Sequence, residues 1–141
     1  MKSITILGIF VADLAFFSKK IPNIGETIIG EKYVIGPGGK GSNQAVAAAK
    51  AGASVEFISK VGADQYGEMA KKIYQECNVG SKNIFISDKH STGAAAILIS
   101  KETGDNAISV VPGAAGQITI DDVNKAEDDI KKSSIFLTQL E

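Results

Sequence analysis

Gly36-Pro37-Gly38-Gly39-Lys40-Gly41-Ser42-Asn43-Gln44-Ala45-Val46-Ala47-Ala48-Ala49 is the stretch on which the reading of this chain turns. A glycine-rich loop feeds straight into Asn43–Ala51, a run suited to a helix and closed by Gly52 as its C-cap. Glycine lets the backbone approach a ligand closely, and the helix that follows offers N–H groups with no partner of their own. Lys40 and Asn43 stand three apart and frame the helix start, so both can point into one pocket. Gly36 to Gly41 also fits G-x-G-x-x-G, with Glu56 twenty residues on, the pattern of a dinucleotide-binding turn and an NAD-dependent oxidoreductase. Against that, the first buried strand lies at Ile4–Leu7, and the segment before the loop starts with the polar Glu31-Lys32-Tyr33. A phosphate-binding P-loop fails outright, since Gly41 follows Lys40 where Ser or Thr is needed and Val34 replaces the first glycine. Taken by itself, such a loop is better read as a turn that packs a helix tightly on a sheet.

Outward from the loop, Ile4–Leu7 is a continuous apolar run, as in a parallel strand covered on both faces. Leu14–Phe17 and Thr27–Ile35, separated by Pro22-Asn23 and Gly25, read as two antiparallel strands. Beyond the loop come a strand at Val55–Val61 and a helix capped by Asp64. That helix buries Tyr66, Met69, Ala70, Ile73, Tyr74 and Cys77 at i, i+3, i+4, i+7 spacing. Gly93–Ser100 and Ala107–Val111 form a hairpin around the polar turn Lys101–Asp105. Thr119 caps a helix over Ile120–Lys132, and Ile135–Leu140 is a further buried strand. This order predicts an α/β fold: a parallel sheet with flanking helices, and a small antiparallel β lid made of segments 13–36 and 92–112 within one unit, 1–141. A strand ending at Glu141 with no helix after it is expected to continue into further sheet.

The 141 residues are 44% hydrophobic and 22% charged, which are globular values. Fifteen Lys and Arg balance sixteen Asp and Glu, so no broad basic face invites nucleic acid or an anionic membrane, and a small neutral ligand is expected instead. One cysteine, Cys77, and one histidine, His90, build neither a disulfide nor a Cys/His metal site, which predicts a cytoplasmic protein with no metal ligands of its own. Neither residue has a role beyond core and loop. No apolar run reaches the ~20 residues of a membrane-spanning helix.

Gly38-Gly39-Lys40-Gly41-Ser42-Asn43-Gln44-Ala45-Val46-Ala47-Ala48-Ala49 with Gly52-Ala53 closely resembles the N-terminal signature of the ribokinase-like, PfkB family of carbohydrate kinases. The likeness continues at Gly8 and Asp13, Gly25-Glu26-Thr27, Val61-Gly62 with Asp64 and Gly67, Ser91-Thr92-Gly93, Gly104-Asp105-Asn106, Pro112-Gly113-Ala114 and Gln139-Leu140-Glu141. The resemblance implies that Asp13, Gly38, Gly39, Lys40, Asn43 and Glu141 hold the hydroxyls of a sugar. A carboxylate accepts from two hydroxyls at once, while Lys and Asn donate. It also implies ATP and Mg2+ as co-substrate and cofactor, and a homodimer formed through the lid. One departure stands out. The family carries Gly-Ser-x-Asn-x-Asp after the first strand, whereas this chain reads Gly8-Ile9-Phe10-Val11-Ala12-Asp13, so Val11 replaces a hydroxyl-binding asparagine and ribose itself fits poorly.

The family's catalytic aspartate closes a Gly-Ala-Gly-Asp motif in the C-terminal half. That tetrapeptide does not occur here, and Gly113-Ala114-Ala115-Gly116 is no substitute. The expectation is therefore the N-terminal, sugar-binding half of an ATP-dependent sugar kinase, inactive by itself. The alternatives are a sugar- or nucleotide-binding module without catalysis and, more weakly, the oxidoreductase.

Overall fold

The computed structural model describes residues 3–140. Strand β1 (Ser3–Leu7) lies inside a parallel sheet, paired on one side with β4 (Ser54–Gly62) and on the other with β9 (Ile135–Thr138). The short strands β5 (Val79–Gly80) and β6 (Ile84–Ser87), which no period in the sequence announces, pair with the first and second halves of β4, both in parallel. Thr5 and Ile6, which face opposite sides of β1, are both buried, as expected of a strand covered on two faces.

Helices α1 (Lys40–Lys50) and α2 (Gln65–Glu76) pack on this sheet. Asp64 caps α2 by accepting from the N–H groups of Tyr66 and Gly67. The buried face of α2 delivers Ala70 and Tyr74 to a core shared with Ile6, Phe10, Ala45, Phe57 and Val61. Tyr74 is fully buried between Phe57 and Phe10, and its hydroxyl donates to Ser42 Oγ at 2.8 Å. One side chain of α2 thus ties down the start of α1. Burial pushes the Tyr74 hydroxyl far above its usual pKa, so it stays a donor.

A second sheet stands off the first. Its order is β3-β2-β7-β8, made of β2 (Val11–Ser18), β3 (Lys32–Gly38), β7 (Thr92–Ser100) and β8 (Asn106–Gly113). The two antiparallel pairs expected from the sequence are present, but they join through a parallel pairing of β2 with β7 over eight residues. The lid is therefore mixed rather than antiparallel. The reason is geometric: β2 follows β1 and β7 follows the β4–β6 region, so both leave the core sheet on the same side and run outward together. The second lid strand begins at Lys32 rather than Thr27. Residues 19–31 form a loop in which Glu26 accepts from the Asn23 N–H and pairs with Lys20.

Two other expectations change. The helix expected over Ile120–Lys132 is broken at Ala126 into α3 (Ile120–Lys125) and α4 (Glu127–Lys132). Each half has its own anchor: Asp122, in a capping box with Thr119, pairs with Lys60 of β4, while Asp129 pairs with Lys82 and accepts from Asn83. Strand β9 is shorter than predicted and exposed at Ile135, Phe136 and Leu137, because no described helix lies over it.

Candidate functional site

A cleft of about 380 Å³ opens between the start of α1 and the lid. Asp13, Gly39, Lys40 and Asn43 supply its polar side, and Val11, Ala95, Ile97, Ile108 and Val110 its apolar wall. The register explains this segregation. Val11 pairs with Gly93 and Asp13 with Ala95 across β2–β7, while Ala95 faces Val110 and Ile97 faces Ile108 across β7–β8. Alternate residues of three strands therefore share one face, and Asp13 is the carboxylate set into it.

The glycines of the loop meet steric demands that no other residue satisfies. Asp13 lies directly over Gly38, where a Cβ would sit 2.3 Å from its carboxyl oxygens. Gly39 holds φ at 96°, and its Cβ would stand 2.3 Å from the Ile9 carbonyl oxygen. Gly39 is the N-cap of α1 and makes no side-chain cap, so the first amides of the helix are not closed off by a capping side chain. Gly8 and Gly41 also touch: a Cβ on Gly8 would come within 2.8 Å of Gly41 Cα, which lets α1 start against the end of β1. Burial raises the Asp13 carboxyl above the usual carboxylate range.

Five of the six residues expected at the site are described, and they gather in one place. Asp13, Gly39, Lys40 and Asn43 line the cleft, and Gly38 forms the floor beneath Asp13. Glu141 lies outside the described residues. The sequence did not single out the apolar wall of Ile97, Ile108 and Val110, because their alternation signals a strand face and not which face meets a ligand. Gln139, named only as part of the family likeness, is given no role by the sequence. Its side-chain amide donates to Gln44 on α1, and its carbonyl oxygen lies over Gly8 and Gly41. Gln139 and Thr138 join Leu7, Gly8 and Ile9 around a second cavity of about 260 Å³ at the ends of β9 and β1.

The dinucleotide reading is overturned by topology. The glycine loop follows the lid strand β3 and not the first buried parallel strand, as that fold requires. Glu56 lies at the other end of β4, where its side chain packs over Gly80 and accepts from Asn83. Among the described residues no helix is long and apolar enough to cross a membrane.

Residues 1–139 match the model of the pfkB family carbohydrate kinases. The chain is 38% identical to ribokinase from Bacillus subtilis over 141 residues, all of this chain and 47% of that protein. Ribokinase from Giardia lamblia superposes with a TM-score of 0.91 at 30% identity, over 99% of this chain and 42% of that one. The Arabidopsis thaliana ribokinase complexed with ribose and ATP gives a TM-score of 0.78 at 26% identity, over 98% of this chain and 45% of that one. The chain thus spans under half the length of the curated relatives it matches. Matched by the family model over residues 1–139, the chain belongs to the pfkB family of carbohydrate kinases.

Proposed function

We propose that this chain is the sugar-binding part of an ATP-dependent kinase that phosphorylates a hydroxyl of a pentose or related sugar. The observation that carries this reading is the convergence of Asp13, Lys40 and Asn43 on one cleft whose opposite wall is apolar. A sugar ring has that division, with hydroxyls at its edge and C–H groups on its faces. Ionised Asp13 accepts from two neighbouring hydroxyls, Lys40 and Asn43 donate to oxygens, and the lid wall covers the ring and excludes water. Glu141 is assigned to the same polyol on the family resemblance. Val11, buried in the wall beside Asp13, leaves a facing hydroxyl without a partner. That disfavours ribose by about 1–3 kcal/mol relative to a sugar with a C–H group there.

The γ-phosphoryl donor is ATP with Mg2+, and the catalytic Gly-Ala-Gly-Asp that the family resemblance implies does not occur among these 141 residues. When bound, the metal offsets the charge that develops on the phosphoryl oxygens. The lid face turned away from the cleft carries exposed Phe16, Tyr33, Ile35 and Val111, and a second copy of this chain is its occupant. The compartment is the cytoplasm.

The test uses the full-length protein containing this chain, with ATP, Mg2+ and a panel of pentoses and deoxypentoses. Sugar-dependent ADP release that is lost in Asp13→Asn is expected, and sugar-independent turnover or none would sink the reading. Sedimentation of the same protein, with Tyr33→Asp expected to shift dimer to monomer, checks the pairing of lids.

A further inference from the structure

Three backbone segments meet around one carboxylate away from the cleft. Asp64 Oδ1 accepts from Tyr66 N–H at 3.1 Å and Gly67 N–H at 2.9 Å, which is ordinary capping of α2. The same carboxylate also reaches the first residue of β7. Thr92 N–H donates to Asp64 Oδ2 at 2.7 Å, and Thr92 Oγ1 donates to Oδ1 at 2.7 Å. Thr92 Oγ1 in turn accepts from Gly62 N–H, the last residue of β4, at 2.8 Å. A helix cap uses one carboxylate oxygen, and here the second is spent on the lid.

The space around this junction is closed. A Cβ on Gly62 would lie 2.6 Å from both Thr92 N and Asp64 Oδ2, and one on Gly67 would lie 2.2 Å from the Gly62 carbonyl oxygen. One residue further on, a Cβ on Gly93 would meet Val11 Cγ1 at 2.8 Å and the Pro112 carbonyl oxygen at 2.5 Å. Gly113, at φ 57°, returns β8 against Ser91 and Gly93 in the same way. Thr92 therefore sets Gly93, Gly93 abuts Val11, and Val11 stands two residues before Asp13 on the same face of β2.

On the reading of the cleft as a sugar site, we propose that Asp64 is a positioning residue for it. Its carboxylate, shared between the cap of α2 and the first residue of β7, fixes the root of the lid and so places Asp13 and the apolar wall over the start of α1. Desolvation pushes the Asp64 carboxyl up, but the hydrogen bonds from Thr92, Gly67 and Tyr66 outweigh it and hold it below the usual range, so it remains an acceptor at neutral pH.

Asp64→Asn separates the two duties. An amide keeps an acceptor oxygen for Tyr66 and Gly67 but sets an NH2 donor against the Thr92 N–H. Because the lid contacts the sugar equally before and during phosphoryl transfer, the loss appears in KM. In the full-length protein, Asp64→Asn is expected to raise the sugar KM about tenfold with kcat within about twofold, the loss of one charged hydrogen bond. Amide exchange at Gly93–Ile97 should accelerate. Thr92→Ser, which keeps the hydroxyl, stays close to the parent, and Thr92→Val, which loses the hydroxyl's bonds to Asp64 and Gly62 but keeps the N–H bond, raises KM in the same direction as Asp64→Asn. Ala70→Gly, which weakens α2 without touching Thr92, lowers the Tm and leaves KM unchanged. The inference is overturned if Asp64→Asn leaves KM and lid exchange unchanged, or if Ala70→Gly raises KM as much at equal loss of Tm. If the parent phosphorylates no sugar, the reading of the cleft fails, and amide exchange at β7 alone still decides whether Asp64 holds the lid.

Discussion

The central strand β4 of the core sheet and the outer strand β8 of the lid are built from similar apolar residues and bury them to opposite extents. In β4 of the core sheet Phe57, Ile58 and Val61 are fully buried, whereas in β8 of the lid Ile108, Val110 and Val111 are between 49% and 64% exposed. An apolar side chain in the first sheet has already been removed from water by folding. One in β8 still has roughly half of that free energy to gain, from whatever comes to lie against it. The first sheet therefore accounts for stability and the second is prepared for binding.

The largest expected effect tests that division directly. Phe57→Ala should lower unfolding free energy by about 3–5 kcal/mol, since the ring is packed against Tyr74 and the cavity cannot collapse. Ile108→Ala, half exposed on the cleft wall, should cost about 0.5 kcal/mol or less in stability while weakening sugar binding. Denaturant midpoints and sugar KM values for the pair check it. Equal losses of stability would show that the lid shares in the core and would end the comparison.

Val11 sharpens the contrast inside the lid itself, because it is a buried apolar residue beside a carboxylate. Val11→Asn gives a facing hydroxyl a partner. It should improve kcat/KM for ribose about tenfold, roughly the value of one satisfied hydrogen bond, and do nothing for a sugar with a C–H group there. The gain is limited by the packing Val11 loses against Gly93. A ribose kcat/KM that is unchanged or lower would mean the sugar does not meet this part of the wall.

The core was legible in the sequence because burial leaves a period. The apolar stripe of α2, the cap at Asp64 and the runs in β1 and β4 all appear where the spacing put them. The candidate site residues rest on the family resemblance, since the glycine loop by itself reads as a turn that packs a helix on a sheet; the structure brings Asp13, Gly39, Lys40 and Asn43 to one cleft. What could not be read was how the pieces join. The parallel pairing of β2 with β7 links residues some eighty apart, and no local pattern encodes it. The two-residue β5 is too short to show a period, and the break at Ala126 follows from anchors on Lys60 and Asn83, far away in sequence. The second duty of Asp64 is hidden for the same reason, since a cap signature predicts only the helix it begins.

The smallest expected effect is a pH dependence in which binding and stability part company. Burial raises the Asp13 carboxyl, and the proton must leave before it can accept sugar hydroxyls, so sugar affinity should fall as pH drops through that raised value. For the empty protein the sign is reversed. A carboxyl whose folded pKa is raised binds its proton more tightly when folded, so this group makes folding more favourable as pH falls. The carboxyls held low by partners, Asp64, Asp122 and Asp129, contribute stability that is fully present above the unfolded value of about 3.9 and lost only below it. As pH falls through that raised value, sugar affinity should therefore decline while Tm holds or rises slightly, and Asp13→Asn should flatten the affinity profile. Titrating affinity and Tm on the same samples checks this, and a parallel fall of both would assign the pH effect to the core instead of the lid.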